Sequence, residues 1–236
     1  MKMVLKEFIF DDNALNLSKN QTSDILSVLK ELKILDHACG SGAFPMGILH
    51  EILHLQEKCG DTRSPYECKL EILQHCIYGV DIQPMATEIA RLHCFLSLII
   101  DEDINDIKPL PNLEFKFISA NSLLPLPVNT SLNYDGYEKD MQKLADLRNE
   151  YFHAQDKKAN KMGANARKSA IQKEYKRLQE HITRQNLQIG MIDNFDNPIL
   201  DYDPFSNTKS AQFFDSEYMF GVESFDIVIR NPPYIR

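Results

Sequence analysis

Apolar residues recur along this chain in two rhythms. Short runs bounded by polar or turn residues, Lys33-Ile34-Leu35-Asp36, Cys76-Ile77-Tyr78-Gly79-Val80-Asp81, Leu113-Glu114-Phe115-Lys116-Phe117-Ile118 and Phe225-Asp226-Ile227-Val228-Ile229, read as strands. Between the first three, the spacing turns helical. One helix carries Pro45 in its first turn and ends near Gly60, a second covers residues 66–75, and Pro84 opens a third that runs to about Ile99. Strands that alternate with helices imply a parallel sheet, so the fold class is α/β. The first 32 residues are polar and irregular apart from a helix over 23–32, with Ile25, Leu26, Leu29 and Leu32 on one face.

Before the fourth strand the rhythm changes. Tyr137, Met141, Leu144, Leu147, Tyr151 and Ala154 recur at three-four spacing, and Ile171, Tyr175, Leu178 and Ile182 resume it after a polar stretch. Two long helices paired as a hairpin fit that pattern. They form an insertion between the third and fourth strands.

Composition narrows the class. With 236 residues, 43% of them hydrophobic, the chain can build one sizeable core, alone or with an appendage. Its longest apolar stretch, Cys94-Phe95-Leu96-Ser97-Leu98-Ile99-Ile100, is far short of the roughly 20 residues a membrane span needs. No cationic-apolar leader opens the chain, and a cytoplasmic location is expected. The 5 cysteines include no Cys-x-x-Cys pair, so neither a disulfide framework nor a zinc knuckle is expected. A net charge of −8 counts against a chain made chiefly to grip phosphates. Yet Lys157, Lys158, Lys161, Arg167, Lys168, Lys173, Lys176, Arg177 and Arg184 face only Glu174 and Glu180 within one segment. That basic helix is either a solvated face or a contact for nucleic acid.

Candidate chemistry gathers at the carboxyl ends of the strands, where open α/β sheets hold their ligands. After the first strand, Gly40-Ser41-Gly42 lets backbone approach a ligand at a helix N-terminus, or else forms a tight turn with no ligand. The third glycine of a dinucleotide fingerprint would fall at Pro45, which disfavours a nicotinamide cofactor. Asp81 suits both hydroxyls of a ribose, or the first turn of the next helix. Asn121 suits an adenine edge, or a turn cap on its own backbone. Asn231-Pro232-Pro233-Tyr234 fits an exocyclic amine on a flat ring: carbonyls accept its hydrogens, prolines stiffen the loop and an aromatic ring stacks. By average residue usage this tetrapeptide arises by chance in about one chain in a thousand of this length.

Taken together, Asp36-His37-Ala38-Cys39-Gly40-Ser41-Gly42-Ala43-Phe44, Ile77-Tyr78-Gly79-Val80-Asp81-Ile82 and Phe225-Asp226-Ile227-Val228-Ile229-Arg230-Asn231-Pro232-Pro233-Tyr234 resemble the S-adenosylmethionine-dependent DNA adenine methyltransferases. The methylase region of type IIG restriction-modification enzymes is the type most like it. The resemblance runs from about Leu35 to the last residue. It implies a partial Rossmann-like methyltransferase sheet of about four parallel strands with helices, plus the helical hairpin. The layout expected is a polar and helical segment over 1–32, a cofactor-binding α/β half over 33–128, the helical insertion over 129–215, and a strand with the catalytic loop over 216–236.

Residue by residue, the resemblance implies that Asp36, Ala38, Cys39, Gly40, Ser41 and Gly42 hold the methionine end of S-adenosylmethionine. Asp81 would hold its ribose hydroxyls and Asn121 its adenine, with Ile82 and Ser122 also among the cofactor-binding residues. Asn231 and Pro232 would hold the target amine, with Pro233 and Tyr234 completing the loop and Tyr234 stacking on a flipped base. No metal is implied. The partner implied is double-stranded DNA, with the basic helix as a possible contact. The sequence departs from the family pattern at three places: His37 stands for Pro, Asn121 for Asp and Arg230 for Gly. The family fold has seven strands where four are legible here, so a truncated copy, inactive alone and open to self-association at its last strand, is expected. An amine methyltransferase acting on protein glutamine or ribosomal RNA guanine, and a non-catalytic remnant that binds cofactor or DNA, are the other readings.

Overall fold

The computed structural model describes residues 17–102, 108–126, 135–155, 164–188, 199 and 202–231. In chain order these form α1 (Lys19–Glu31), β1 (Ile34–Asp36), α2 (Ala43–Lys58), α3 (Pro65–His75), β2 (Ile77–Asp81), α4 (Pro84–Ile99), β3 (Phe117–Ser119), α5 (Tyr137–Phe152), α6 (Ala164–Gln188), α7 (Ser216–Phe220) and β4 (Ile227–Ile229). All pairings are parallel, in the order β3-β2-β1-β4. Asp36 lies beside Gly79 on one side and Ile229 on the other, so the strands deliver their following loops to one edge. The expected α/β class and parallel sheet are what the chain adopts. No helix among the described residues is long and apolar enough to cross a membrane.

Local chemistry sets the helix ends. Ser18 and Gln21 form a capping box that starts α1, and Ser64 with Glu67 forms another ahead of Pro65 in α3. The first of these begins α1 four residues before the point that hydrophobic spacing alone marks.

Alternating strand residues face opposite ways, and both sides of the sheet are covered. Ile34, Ile77 and Phe117 join Leu49, Ile52, Ile72, Leu73 and Leu98 in a core beneath α2, α3 and α4. Leu35, Tyr78, Val80 and Ile118 join Met141, Leu144, Tyr151, Tyr175, Ile182 and Phe220 on the other side. The α5–α6 hairpin is therefore a covering layer of the sheet itself. Gly79 sits in the middle of β2, where a Cβ would meet the Phe117 ring at 2.5 Å and Cys39 Sγ at 3.0 Å. β4 is locked to β1 through Asp226, whose carboxylate accepts from the Lys33 N–H at 2.8 Å and whose own N–H donates to the Lys33 carbonyl at 2.9 Å. The outer side of β4 has no strand partner among the described residues, and Ile227 and Val228 are exposed.

β3 is shorter than the alternation of residues 113–118 suggests. The Lys116 and Phe117 N–H groups both turn back onto the Leu113 carbonyl, which makes 114–116 a turn. Arg91, buried in α4, pins that turn by donating to the Phe117 carbonyl at 3.1 Å through Nε. The alternation arises because Leu113 and Phe115 are each buried by the turn's packing. Lys116 is left with its ammonium 4.0 Å above the Tyr78 ring. Burial first, then the neighbouring charges of Arg148 and Lys33, bring its pKa down to about 7.

Basic residues of α6 lie against carboxylates. Lys168 pairs with Glu114 at 2.7 Å, Lys176 with Asp203 at 2.7 Å, Arg167 with Glu150 at 3.4 Å, Arg177 with Glu174 at 3.6 Å and Arg184 with Glu180 at 3.7 Å. Lys157, Lys158 and Lys161 lie outside the described residues.

Two outcomes are expected. Gly79→Ala overpacks the sheet and lowers unfolding free energy by about 1–3 kcal/mol; an unchanged denaturation midpoint would show that Phe117 yields freely. For Lys116, a folded-state pKa below the ordinary 10.5 means the folded protein binds its proton less tightly. Stability should then rise with pH from about 7 to about 10.5, the penalty being complete below that window. Lys116→Met should gain roughly 1–3 kcal/mol at about pH 6, after discounting for partial exposure, and less at about pH 10. An equal gain at both pH values in urea titrations would refute that account.

Candidate active site

A cleft of about 460 Å³ opens at the carboxyl edge of the sheet, a size that suits a small ligand. The loops after all four strands contribute to it: His37, Ala38 and Gly40 after β1, Ile82 and Gln83 after β2, Asn121, Ser122 and Leu123 after β3, and Arg230 with Asn231 after β4. Asp81, the last residue of β2, lines it too. A larger cleft of about 730 Å³ lies at the opposite edge, around Lys30, Lys33 and Asp226. It gathers none of the residues singled out by chemistry, and the carboxyl edge is where parallel sheets hold ligands.

Asp81 organises the cleft. Its Oδ2 accepts from the Gly40 N–H at 2.9 Å and its Oδ1 from the Gln83 N–H at 2.9 Å, so one carboxylate ties the loops after β1 and β2 together. A carboxylate has about four lone-pair sites, which leaves capacity for hydroxyls of a ligand. Gly40 faces space: a Cβ there would meet nothing within 4 Å. Gly42 has the opposite constraint, with φ +87° and a hypothetical Cβ only 2.9 Å from Ala90 Cβ, so it lets the loop press against α4.

The rest of the β1 loop shapes the cleft from behind. Asp36 is buried and accepts from the Ala38 N–H at 3.1 Å; burial raises its pKa, the Ala38 bond opposes the rise, and the Asp81 charge adds a smaller upward push. Cys39 is buried with its N–H on the Val80 carbonyl at 2.9 Å, and burial pushes its thiol pKa upward. The Ser41 carbonyl bonds His93 Nδ1 at 2.8 Å. Ala38 and Gly40 line the cavity itself, whereas Asp36, Cys39, Ser41 and Gly42 hold the turn in place.

Beyond β3 the returning chain fixes the loop. The Asn121 N–H donates to the Ala211 carbonyl and the Ala211 N–H to the Ser119 carbonyl, each at 2.9 Å. Asn121 Oδ1 accepts from the Leu123 N–H at 3.2 Å, a cap on its own turn, so the side chain lines the cleft with its oxygen already engaged. Ser122 Oγ donates to the His37 carbonyl at 2.8 Å and lies 3.4 Å from His37 Nδ1, which couples the first and third loops. Ile82 is 59% exposed and Leu123 is 69% exposed, which offers apolar surface at the mouth. Asn231 and Arg230 reach the same cleft, while Pro232, Pro233 and Tyr234 lie outside the described residues.

Sequence reasoning treated His37 as a departure from a pattern; here it joins the cleft wall through Ser122. Gln83 and Leu123 line the cleft and went unremarked. Their adjacency to Asp81 and Asn121 at strand ends was the available signal.

A parallel sheet of this order, helices on both faces and a ligand-sized cleft at its carboxyl edge make a partial Rossmann-like methyltransferase fold. Residues 75–236 match the family model described as Eco57I restriction-modification methylase. The chain belongs to that family of restriction-modification methylases. A protein of Methanocaldococcus jannaschii that carries the name of a type II restriction enzyme and methyltransferase is 34% identical over 128 residues. The match covers 51% of this chain and 11% of that relative, so the chain spans a small part of the relative's length. No solved structure matches the chain.

If Asp81 ties the loops, Asp81→Ala frees two N–H groups and should lower unfolding free energy by about 1–2 kcal/mol, with Asp81→Asn losing about half as much. Equal stability of all three proteins by chemical denaturation would remove Asp81 from that role.

Proposed function

We infer that the chain carries the transfer of a methyl group from S-adenosylmethionine to the exocyclic amine of adenine in DNA, within a restriction-modification system. The observation that supports this reading best is the convergence of Gly40, Asp81, Asn121 and Asn231, each from a different strand end, on one cleft. The residues present fit the cofactor. Gly40 leaves open space in the β1 loop, Asp81 keeps acceptor capacity suited to ribose hydroxyls, and the exposed Ile82 and Leu123 suit the two faces of a purine.

When bound, S-adenosylmethionine supplies a methyl group on a cationic sulfur that leaves as a neutral thioether. The chain's own part is placement. Asn231 accepts one amine hydrogen through its side-chain carbonyl, and the Pro232 backbone carbonyl accepts the other. Holding both hydrogens would turn the nitrogen lone pair out of conjugation with the ring so that it could take up the methyl group, and the methylated nitrogen would then lose one hydrogen as a proton to water. Tyr234 supplies a stacking face for a base swung out of the duplex. Asp36, Cys39, Ser41 and Gly42 keep the β1 loop in register, with Ala38 at the cavity wall, and that loop would hold the methionine end of the cofactor. Ser122 holds the first and third loops together through His37. Arg230 sets a cation in the cleft where the resembled family has glycine, which weakens affinity for a cationic cofactor.

The reading is tested by incubating the protein with methyl-labelled S-adenosylmethionine and unmethylated duplex DNA, then digesting to nucleosides. Label is expected in N6-methyladenine. Asn231→Ala should slow transfer by about 100-fold while cofactor affinity by calorimetry stays within a few-fold. Label in protein glutamine or in RNA would replace this reading, and absence of cofactor binding would favour a non-catalytic role.

A further inference from the structure

Helix α4 packs one face on the sheet and turns the other outward. Thr87, Ala90, Arg91, Cys94, Ser97 and Leu98 form its buried side. Opposite them, Met85, Ile89, Leu92, Leu96 and Ile99 are 69, 37, 52, 55 and 44% exposed, and Ile100 at the helix end is 79% exposed. The outer face of a surface helix is ordinarily polar, so an apolar one calls for a cover. None of these six residues lines the carboxyl-edge cleft, and the face is separate from the site proposed for methyl transfer.

Spacing says what kind of cover fits. Met85, Ile89, Leu92, Leu96 and Ile99 follow one another at steps of four, three, four and three residues, the period of a seam that packs against another helix. From Leu92 the seam runs seven residues each way, to Met85 and to Ile99, with Ile89 three before and Leu96 four after. It is nearly palindromic. A second α4 laid antiparallel across it sets Leu92 on a two-fold axis, Ile89 opposite Leu96 of the other copy and Met85 opposite its Ile99, the self-matching that a two-fold interface requires.

Charge does not oppose that approach. The chain carries a net −8, yet the seam holds no charged residue. The polar residues beside it are engaged, Glu88 with Arg91 of its own helix and His93 Nδ1 with the Ser41 carbonyl at 2.8 Å. Together the six apolar side chains expose on the order of 600 Å², the upper end for a patch on a monomer. Doubled across a two-fold axis this is roughly 1,200 Å², where the range of stable specific interfaces begins.

We propose that the outer face of α4 is an interface with a second copy of this chain, α4 packing antiparallel on α4 about Leu92. The competing surface is the open edge of β4. Its exposed large apolar residues are Ile227 and Val228 alone among the described residues, a smaller area with no seam.

Analytical ultracentrifugation of the chain over a concentration series tests the interface. A monomer–dimer equilibrium is expected by about 100 μM. Leu92→Glu should weaken it about 100-fold or more, and Leu92→Lys likewise, because each sets two like charges together at the axis. Mixing the two variants should restore a dimer, since opposite charges then meet there. Val228→Lys, at the β4 edge, should leave the equilibrium unchanged. Leu92 is exposed, so its variants should keep the parent's denaturation midpoint, and lost association there is then not lost structure. A chain that stays monomeric at about 100 μM, a dimer that survives Leu92→Glu or is abolished by Val228→Lys, or a mixture of the two charged variants that stays monomeric overturns the proposal.

Discussion

One carboxylate makes the cleft possible. Neighbouring strand-end loops each carry backbone N–H groups with no partner in the sheet, and without a shared acceptor they would splay apart. Asp81 supplies that acceptor to both Gly40 and Gln83, and the rest of the cleft wall follows. With Gly40 held, Gly42 is brought against Ala90 and α2 sets off in its observed direction. Ser122 then adds the third loop through His37, and Ala211 braces that loop from behind. A residue suited to a ligand's hydroxyls is therefore also a structural clamp. The two roles are compatible because a carboxylate accepts more bonds than two N–H groups use.

The second constraint is the double burial of the sheet. A parallel sheet needs a layer on each face, and here α2, α3 and α4 provide one while the α5–α6 hairpin and α7 provide the other. The hairpin is thus part of the core despite its place in the chain as an insertion. Gly79 marks how tightly the first of these cores packs, since the crowded face of β2 has room for Phe117 and Cys39 only if residue 79 carries no side chain.

Much of this was legible in the residues. Periodicity located all four strands, the helices between them and the hairpin, and strand-end positions picked out Gly40, Asp81, Asn121 and Asn231, which do meet at one cleft. What stayed hidden depended on contacts distant in sequence. Residues 113–116 alternate like a strand because a turn buries Leu113 and Phe115, and only Arg91, reaching from α4, reveals why. The start of α1 was written in Ser18 and Gln21, but capping chemistry carries no hydrophobic period. Asn121 admitted two roles, and its bond to the Leu123 N–H makes it a turn cap at the same position where it faces the cleft.

Pairing along α6 bears on how a polyanion would meet this protein. Lys168, Lys176 and Arg167 are each held by an acid from another part of the chain, and Arg177 and Arg184 by acids of their own helix. Each of these five positive residues therefore has a carboxylate beside it. Phosphates arriving there would have to displace carboxylates before gaining contacts, and few counterions would be set free. Encounter guided by these five side chains would then be governed by collision and fit, with little of the long-range pull that makes association depend steeply on ionic strength.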